Sequence, residues 1–348
     1  MIAATDMHPI LRLIVLFPHA SQDALLRVFL PVIFVITLCA VGDLAAGDEN
    51  IRVLSWNISD DAFVAEQSEF RALLRWADPD LVLLDEVAPT VDLSRLTGVL
   101  TALRPDNSDA WNVNFGQSGG RQRCIIASRA GQEALPEFSA VVPYPDEGRR
   151  RILERAPPEK RLRLAHSLDA GIPVNGAVIL AGRQRLLVLI TDLQCCGDGP
   201  DSWEELQRRV EASEIRRLIG QILKRITVDG IVLAGDFNLV ESTFAMTLLT
   251  GPYPAPHLAL IPAELYHPDG VATWTWDGRG TPFPSDVLDY QLYGPWGLEK
   301  RSGFILDTER LSPEVLEQYG LEKEMAGRTG EHRPLVVEYR WKPVSTTN

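Results

Sequence analysis

The sequence predicts an α/β fold, and three observations carry that reading. Short apolar runs bounded by turn residues alternate with stretches of helical spacing. Of the 348 residues, 45 % are hydrophobic and 23 % charged, a globular composition that excludes disordered, collagen-like and coiled-coil classes. No internal repeat and no linker divides the body of the chain, and the length suits one large α/β domain or two small ones. The 47 Asp and Glu outnumber the 34 Lys and Arg, for a net charge of −13. Nonspecific binding of nucleic acid relies on basic surface that releases counterions from phosphates, so composition argues against a long polyanion as partner.

At the N-terminus, residues 28–41 carry no charge, Arg27 precedes them, and the small residues Gly42, Ala45, Ala46 and Gly47 follow. A positive flank, a short apolar core and a small-residue exit describe a secretory signal, and the run is shorter than the roughly 20 residues of a comfortable membrane span. Residues 1–46 are therefore expected to be a signal peptide or, uncleaved, an N-terminal membrane anchor. Residues 47–348 would then be one domain, exported (periplasmic or extracellular) or held at a membrane. Cys39 lacks the surroundings of a lipidation signal. Arg12, Arg27, Asp6, Asp23 and Asp43 leave with the leader, so the domain keeps a net −12. Cys124, Cys195 and Cys196 remain, an odd count with two neighbours, which is no disulfide framework; one bridge or free thiols are both open.

Along the body, residues 51–56 form an apolar strand that ends at Asn57. Residues 66–77 have helical spacing, with Phe70, Leu73 and Leu74 on one face and Asp78-Pro79 as the stop. Residues 81–84 are a wholly apolar strand ending at Asp85-Glu86. Residues 124–127, 177–180 and 186–191 read as strands, 203–226 as a long amphipathic helix, and 230–234 as a buried strand leading into Gly235-Asp236-Phe237-Asn238. Residues 290–293 and 335–339 complete the pattern. The Pro- and Arg-rich stretch 143–163 reads as loop. Asn57, Glu86, Asp192, Asp236 and Asn238 all stand at or just past the C-terminal ends of apolar strands, where α/β proteins collect ligands. One Asp in such a place is ordinarily a cap or turn residue; five amides and carboxylates make an oxygen-rich pocket suited to Mg2+ or Mn2+ rather than zinc.

Five motifs occur in order: Ser55-Trp56-Asn57, Pro79-Asp80 through Asp85-Glu86-Val87, Gly235-Asp236-Phe237-Asn238, Leu288-Asp289-Tyr290 and His332-Arg333-Pro334-Leu335. Together they resemble the endonuclease/exonuclease/phosphatase (DNase I-like) superfamily, which includes pancreatic-type deoxyribonucleases, abasic-site endonucleases, inositol polyphosphate phosphatases and bacterial sphingomyelinases. The resemblance runs from residue 51 to about residue 341. It implies a four-layer α/β sandwich, two mainly antiparallel β-sheets flanked by helices, and divalent-metal-dependent hydrolysis of phosphoester bonds by a phosphodiesterase, phosphatase or nuclease. It also implies roles. Glu86 would be the main metal ligand with Asn57 beside it; Asp236 would orient or deprotonate the attacking water; Asn238 would fix the phosphate or that water. Asp289 would belong to the metal or histidine network, and His332 would stabilise the transition state and help protonate the leaving oxygen.

Two positions depart from the family pattern. Gly330-Glu331-His332 stands where the family has Ser-Asp-His, so Glu331 is expected to orient the imidazole. Asp192 stands where several branches have a catalytic histidine, and is expected to ligate metal or accept a bond from a substrate hydroxyl. These two changes support the alternative of a catalytically weak or inactive member that binds metal and phosphate as ligands. In the Gly-rich segment before residue 124, Arg121 and Arg123 are candidates to contact the substrate phosphate. The basic stretch 149–163 either is a loop that meets an anionic substrate, membrane head groups or nucleic acid, or is an exposed charged helix or loop. Trp274 and Trp276 are expected to pack in the core, and His166, His257 and His267 to be ordinary surface or loop residues. The expected partner is a phosphoester substrate (small molecule, lipid or nucleic acid), with a membrane nearby if the leader anchors the chain. The chain is expected to be monomeric, with no protein partner.

Overall fold

The computed structural model describes residues 50–60, 66–103, 111–251, 253 and 258–343. The expected leader, with Cys39, and His257 lie outside the described residues. Twelve strands are described: β1 (Asn50–Asp60), β2 (Leu81–Val87), β3 (Asn112–Phe115), β4 (Arg123–Ser128), β5 (Gly131–Ala134), β6 (Val174–Ala181), β7 (Gln184–Asp192), β8 (Gly230–Asp236), β9 (Ile261–Pro262), β10 (Asp289–Tyr293), β11 (Leu298–Ile305) and β12 (Leu335–Trp341). The α-helices among the described residues are α1 (Gln67–Ala77), α2 (Leu93–Thr101), α3 (Asp146–Arg155), α4 (Arg161–Asp169), α5 (Trp203–Arg225), α6 (Phe244–Thr250), α7 (Pro313–Tyr319) and α8 (Met325–Arg328).

The strands form two six-stranded sheets, in the orders β11-β12-β1-β2-β4-β3 and β5-β6-β7-β8-β10-β9. All neighbours are antiparallel except β1 with β2 and β7 with β8. Each parallel pair needs a crossover, and a helix supplies it: α1 between β1 and β2, α5 between β7 and β8. The expected four-layer sandwich of two mainly antiparallel sheets is therefore present. Between the sheets lie Ile51, Val53, Leu83, Ile126, Ile179, Val188, Ile190, Val232 and Tyr339. The alternate residues of β1 (Leu54, Trp56, Ile58) face the other way and pack with Phe70, Leu73 and Leu74 of α1. On the outer face of the second sheet, Leu187, Leu189, Ile231 and Leu233 meet Ile215, Ile219 and Ile222 of α5. Both faces of the central strands are thus covered, which is why they read as unbroken apolar runs. A side chain such as Leu73, wholly buried, contributes on the order of 1.5–3 kcal/mol by leaving water.

The helices end where their sequences say they should. Ser202 caps α5 by accepting from the Glu205 N–H at 3.1 Å, Glu204 and Glu205 sit in its first turn, and Lys224 and Arg225 sit in its last. That charge order suits the helix dipole. Asp78 ends α1 in the left-handed conformation, its N–H returned to the Leu74 carbonyl.

Stretch 143–163 is where structure and sequence reading part. Instead of a loop it holds α3 and the start of α4. Asp146 and Glu147 occupy the first turn of α3, Arg150 pairs with both Glu147 and Glu154 along the helix, and Ile152 is buried. Gly148 lets the helix close on α5, since a Cβ there would come 2.7 Å from Val210 Cγ1. One buried apolar residue among many charges is too faint a pattern for periodicity to register. No helix among the described residues is long and apolar enough to cross a membrane.

Candidate active site

The site forms where both sheets end on the same side. In the second sheet, Asp192 of β7 is the register partner of Asp236 of β8, and Asp236 is the partner of Asp289 of β10. Three carboxylates therefore stand in a row across adjacent strand ends, all buried. The first sheet brings Asn57 and Asp85, themselves partners across β1 and β2. Both strands lose regular register just there, between Asn57 and Asp60 and between Leu84 and Val87, and Glu86 takes φ 50°. Irregularities of this kind re-aim side chains at a sheet margin. The sheets touch through this end: Asn57 Nδ2 donates to Asp236 Oδ2 at 3.3 Å, and Asp85 Oδ2 accepts the Asp236 N–H at 3.1 Å.

His332 arrives on the segment before β12, paired in a short bridge with Trp276. Its Nδ1 lies 2.9 Å from Asp289 Oδ2 and its Nε2 lies 3.8 Å from Asp236 Oδ2. Thr275 Oγ1 accepts the Asp289 N–H at 2.8 Å, and the next residue, Arg333, is tied to Asp277 at 2.7 Å and to the Gly330 carbonyl at 2.9 Å. Asn238 folds back on Asp236, its N–H donating to Oδ1 at 2.9 Å, while its Nδ2 reaches Asp192 Oδ1 at 3.3 Å and the Leu193 carbonyl at 2.9 Å. Gly235 makes the approach of β8 to β7 feasible: at φ 127° a Cβ would fall 1.8 Å from the Thr191 carbonyl oxygen. Ser59, Glu86, Cys196 and Asn238 are four of the six described non-glycine residues with positive φ. Backbone strain of about 1–3 kcal/mol each is therefore concentrated around this one rim.

Burial raises the Asp85 and Asp192 carboxyls well above the carboxylate range, and neighbouring acids add to it: Asp289 and Asp236 for Asp85, Glu86 and Asp236 for Asp192. Asp236 is pushed up to about 7 by burial and by Asp289, against the pull of His332. For His332, burial favours the neutral ring, but the charge and hydrogen bond of Asp289, with Asp236 and Glu86 behind, outweigh it and raise the imidazolium to about 10. So many acids in one dry space want a cation. Asp85 Oδ1 and Asp289 Oδ1 are buried without a hydrogen-bond partner, and one ligand atom each from Asp236, Asp289 and His332 fall within 4.8 Å of one another. Oxygen donors with a single imidazole fit a hard divalent ion.

Of the residues expected from sequence, Asn57, Asp192, Asp236, Asn238, Asp289 and His332 converge here, and half-buried Glu86 acts electrostatically on Asp85, Asp192, Asp236 and His332. Glu331 does not orient the imidazole. Its Oε2 accepts from Trp276 Nε1 at 3.0 Å, because neighbours on an extended segment face opposite ways, and Asp289 takes the task. Arg123 stacks over the Phe115 ring at 5.3 Å and Arg121 is exposed; Gln122, between them, is the residue that reaches in, donating to Asp192 Oδ2 at 2.7 Å. Trp274 and Trp276 are half-buried rather than core. His267 is no surface residue: it is buried, 2.7 Å from the Trp274 carbonyl and 3.2 Å from Asp307 Oδ2.

Sequence reading missed Asp85, Gln122 and a polar row on α5. Asp85 had a signal, a carboxylate continuing a strand with both faces buried. The α5 row did not. Wholly buried Arg208 donates to the carbonyls of Gln194, Cys196 and Asn238 and pairs with Glu205 at 2.9 Å. Buried Glu211 accepts from Tyr144, Gln207 and the Gln194 N–H. On a helical wheel these positions look like a solvated face; in the structure that face holds the two loops that wall the site.

The sequence model of the Endonuclease/Exonuclease/phosphatase family matches residues 54–312, a span that includes every expected site residue except Glu331 and His332. None of the curated proteins matches the chain. Similar solved structures include a truncated TDP2 from Caenorhabditis elegans, with 13 % identity and a TM-score of 0.52 over 84 % of this chain and 97 % of that one. The human Nocturnin catalytic domain, solved with a bound sulfate, has 15 % identity and a TM-score of 0.51 over 84 % and 94 %. ANGEL2, described as a 2',3'-cyclic phosphatase, has 16 % identity and a TM-score of 0.51 over 84 % and 95 %. At such identities these likenesses show a shared fold.

Proposed function

We infer that this chain, which belongs to the Endonuclease/Exonuclease/phosphatase family, hydrolyses phosphoester bonds with a divalent cation, Mg2+ or Mn2+, held at its carboxylate-rich rim. The observation that carries this reading is the convergence of Asp236, Asp289 and His332 ligand atoms within 4.8 Å in a buried setting, beside two carboxylate oxygens with no partner. Glu86 and Asn57 border the same space and, with the open oxygens of Asp85 and Asp289, would hold the ion, which leaves the His332 ring free for the leaving oxygen. Bound there, the cation would neutralise charge that develops on the phosphoryl oxygens.

The chain's own groups divide the remaining work. Asp236, poised near neutrality and fixed by Asn57 and the Asn238 N–H, takes the proton of the attacking water; a base whose pKa lies near ambient pH is well matched to that task. Asp289 fixes the His332 tautomer by accepting from Nδ1, which leaves Nε2 directed toward the site to donate to the leaving oxygen. Gln122 and Asn238 hold Asp192, which fixes its carboxyl group for a hydrogen bond with a substrate hydroxyl.

The acidity of the chain, net −13, favours a small or lipid phosphoester over long nucleic acid, and the leader pattern of residues 1–46 favours export or membrane anchoring. Turnover of plasmid DNA, RNA, sphingomyelin and inositol phosphates, each with Mg2+, Mn2+ or a chelator, tests the assignment. Hydrolysis of at least one substrate that stops on chelation is expected. Metal binding without turnover of any of them would mark a ligand-binding member instead.

A further inference from the structure

We propose that Cys195 and Cys196 are a redox-active vicinal dithiol, closed to a disulfide by hydroperoxides, and that the ring so formed acts on the wall of the site through Arg208. Both residues are exposed on the segment that follows β7, three and four positions after Asp192. Their sulfurs lie 2.8 Å apart. Cys124, the other described cysteine, is buried in β4, so among the described residues these two are the accessible thiols, and each has the other as its neighbour.

The surroundings suit one nucleophilic and one resolving sulfur. The Cys196 thiol is pushed down to about 7 by the hydrogen bond from Cys195, with help from Arg208 and Lys160, against burial and Glu204; Cys195 is pushed up and keeps its proton. The backbone of Cys196 sits at φ 70°, an arrangement that a β-carbon disfavours. What holds it there is Arg208, whose Nη2 donates to the Cys196 carbonyl at 2.9 Å while Nη1 donates to the carbonyls of Gln194 and Asn238. One buried guanidinium thus joins the dithiol to the residue that holds Asp236 and Asp192.

The chemistry balances with a hydroperoxide as oxidant. The Cys196 thiolate attacks the peroxide, forming an S–O bond as the O–O bond breaks, and the departing oxide takes a proton. Cys195 sulfur then attacks the Cys196 sulfenic acid; the S–S bond forms, the S–O bond breaks, and the hydroxide leaves as water with the Cys195 proton. Two electrons pass from the dithiol to the peroxide, and an external dithiol returns them. A ring closed around the 195–196 peptide fixes the torsions of both residues and draws the Cys196 carbonyl away from Arg208.

The test uses the full chain, reduced and then titrated with hydrogen peroxide at pH 7. Two of its four cysteines should stop reacting with an alkylating agent, the intact mass should fall by about 2 Da, and peptide mapping should place the bridge between Cys195 and Cys196, reversibly on adding dithiothreitol. Cys195→Ser should form no bridge and gain oxygen at Cys196 instead. Amide hydrogen exchange over residues 193–197 and 237–241 should quicken at least threefold in the bridged form, with the rest of the second sheet unchanged. Four alkylatable thiols after peroxide, or a bridge to Cys39, Cys124 or a second chain, would overturn the dithiol. A mapped ring with unaltered exchange would overturn the link through Arg208.

Discussion

Asp289 and Glu331 are both acids beside His332, yet only one of them touches its ring. Asp289 accepts from Nδ1 at 2.9 Å, whereas Glu331 accepts from Trp276. Asp289→Asn should lower kcat by about 10²–10⁴, the usual worth of a positioned proton-transfer group, while Glu331→Gln, which still accepts the indole N–H, should stay within about threefold of the parent; steady-state kinetics on a chromogenic phosphodiester separates them. Asp236, Asn238, Asp289 and His332 were legible in the sequence because each follows or precedes an apolar run that had to be a strand. The facing of Glu331 depends on the Trp276–His332 bridge, which no spacing reveals, and Gln122 carries no charge that sets it above its two arginine neighbours. Cys196 gives a second expectation at this scale. The thiolate is the reactive form, so its alkylation rate should rise with pH through a midpoint near 7. In Cys195→Ala, which lacks the donated S–H, the midpoint should climb toward the ordinary thiol value of about 8.5; a midpoint unchanged by the substitution would show that the hydrogen bond is not its cause.

Among the elements, α5 differs most from its sequence reading. Its apolar stripe is present as the sequence predicts, but its other face is no solvent face. Arg208 and Glu205 are both wholly buried, and burial of an ion pair is stabilising only while both partners and their hydrogen bonds remain. Arg208→Met should therefore cost about 3–5 kcal/mol, read as a lowered urea midpoint, because it takes a donor from three carbonyls, only that of Asn238 keeping a second one in the Val240 N–H, and leaves Glu205 with Arg209 and Ser242 alone. A loss below about 1 kcal/mol would mean that water replaces the guanidinium easily. Strands were the easiest elements to foresee, since burial on both faces writes itself as an apolar run. The stretch 143–163 was the hardest, because α3 turns little more than Ile152 and Gly148 toward the core and spends its remaining side chains on pairs with one another.

For the whole molecule, the decisive feature is that two sheets present their strand ends together. Asn57 and Asp85 come from one sheet and Asp236 from the other, and their contacts close the sandwich at the place where the acids gather. Order of motifs along the chain was enough to foresee this architecture, although the edge positions of β3, β5, β9 and β11 were not, because short or half-exposed strands carry no continuous apolar signal. The concentration of acid in that rim also gives the net charge a location: the same carboxylates that would repel a phosphate become its binding site once a divalent ion sits among them. The most direct test of that central claim is hydrolysis of bis(p-nitrophenyl) phosphate by the parent chain, Asp236→Ala and His332→Ala, each with Mg2+ or Mn2+ and again with a chelator. Activity in the parent alone, abolished by chelation and reduced by at least about 10³ in both variants, is the predicted result; activity that survives the chelator, or that is indifferent to both substitutions, would contradict it.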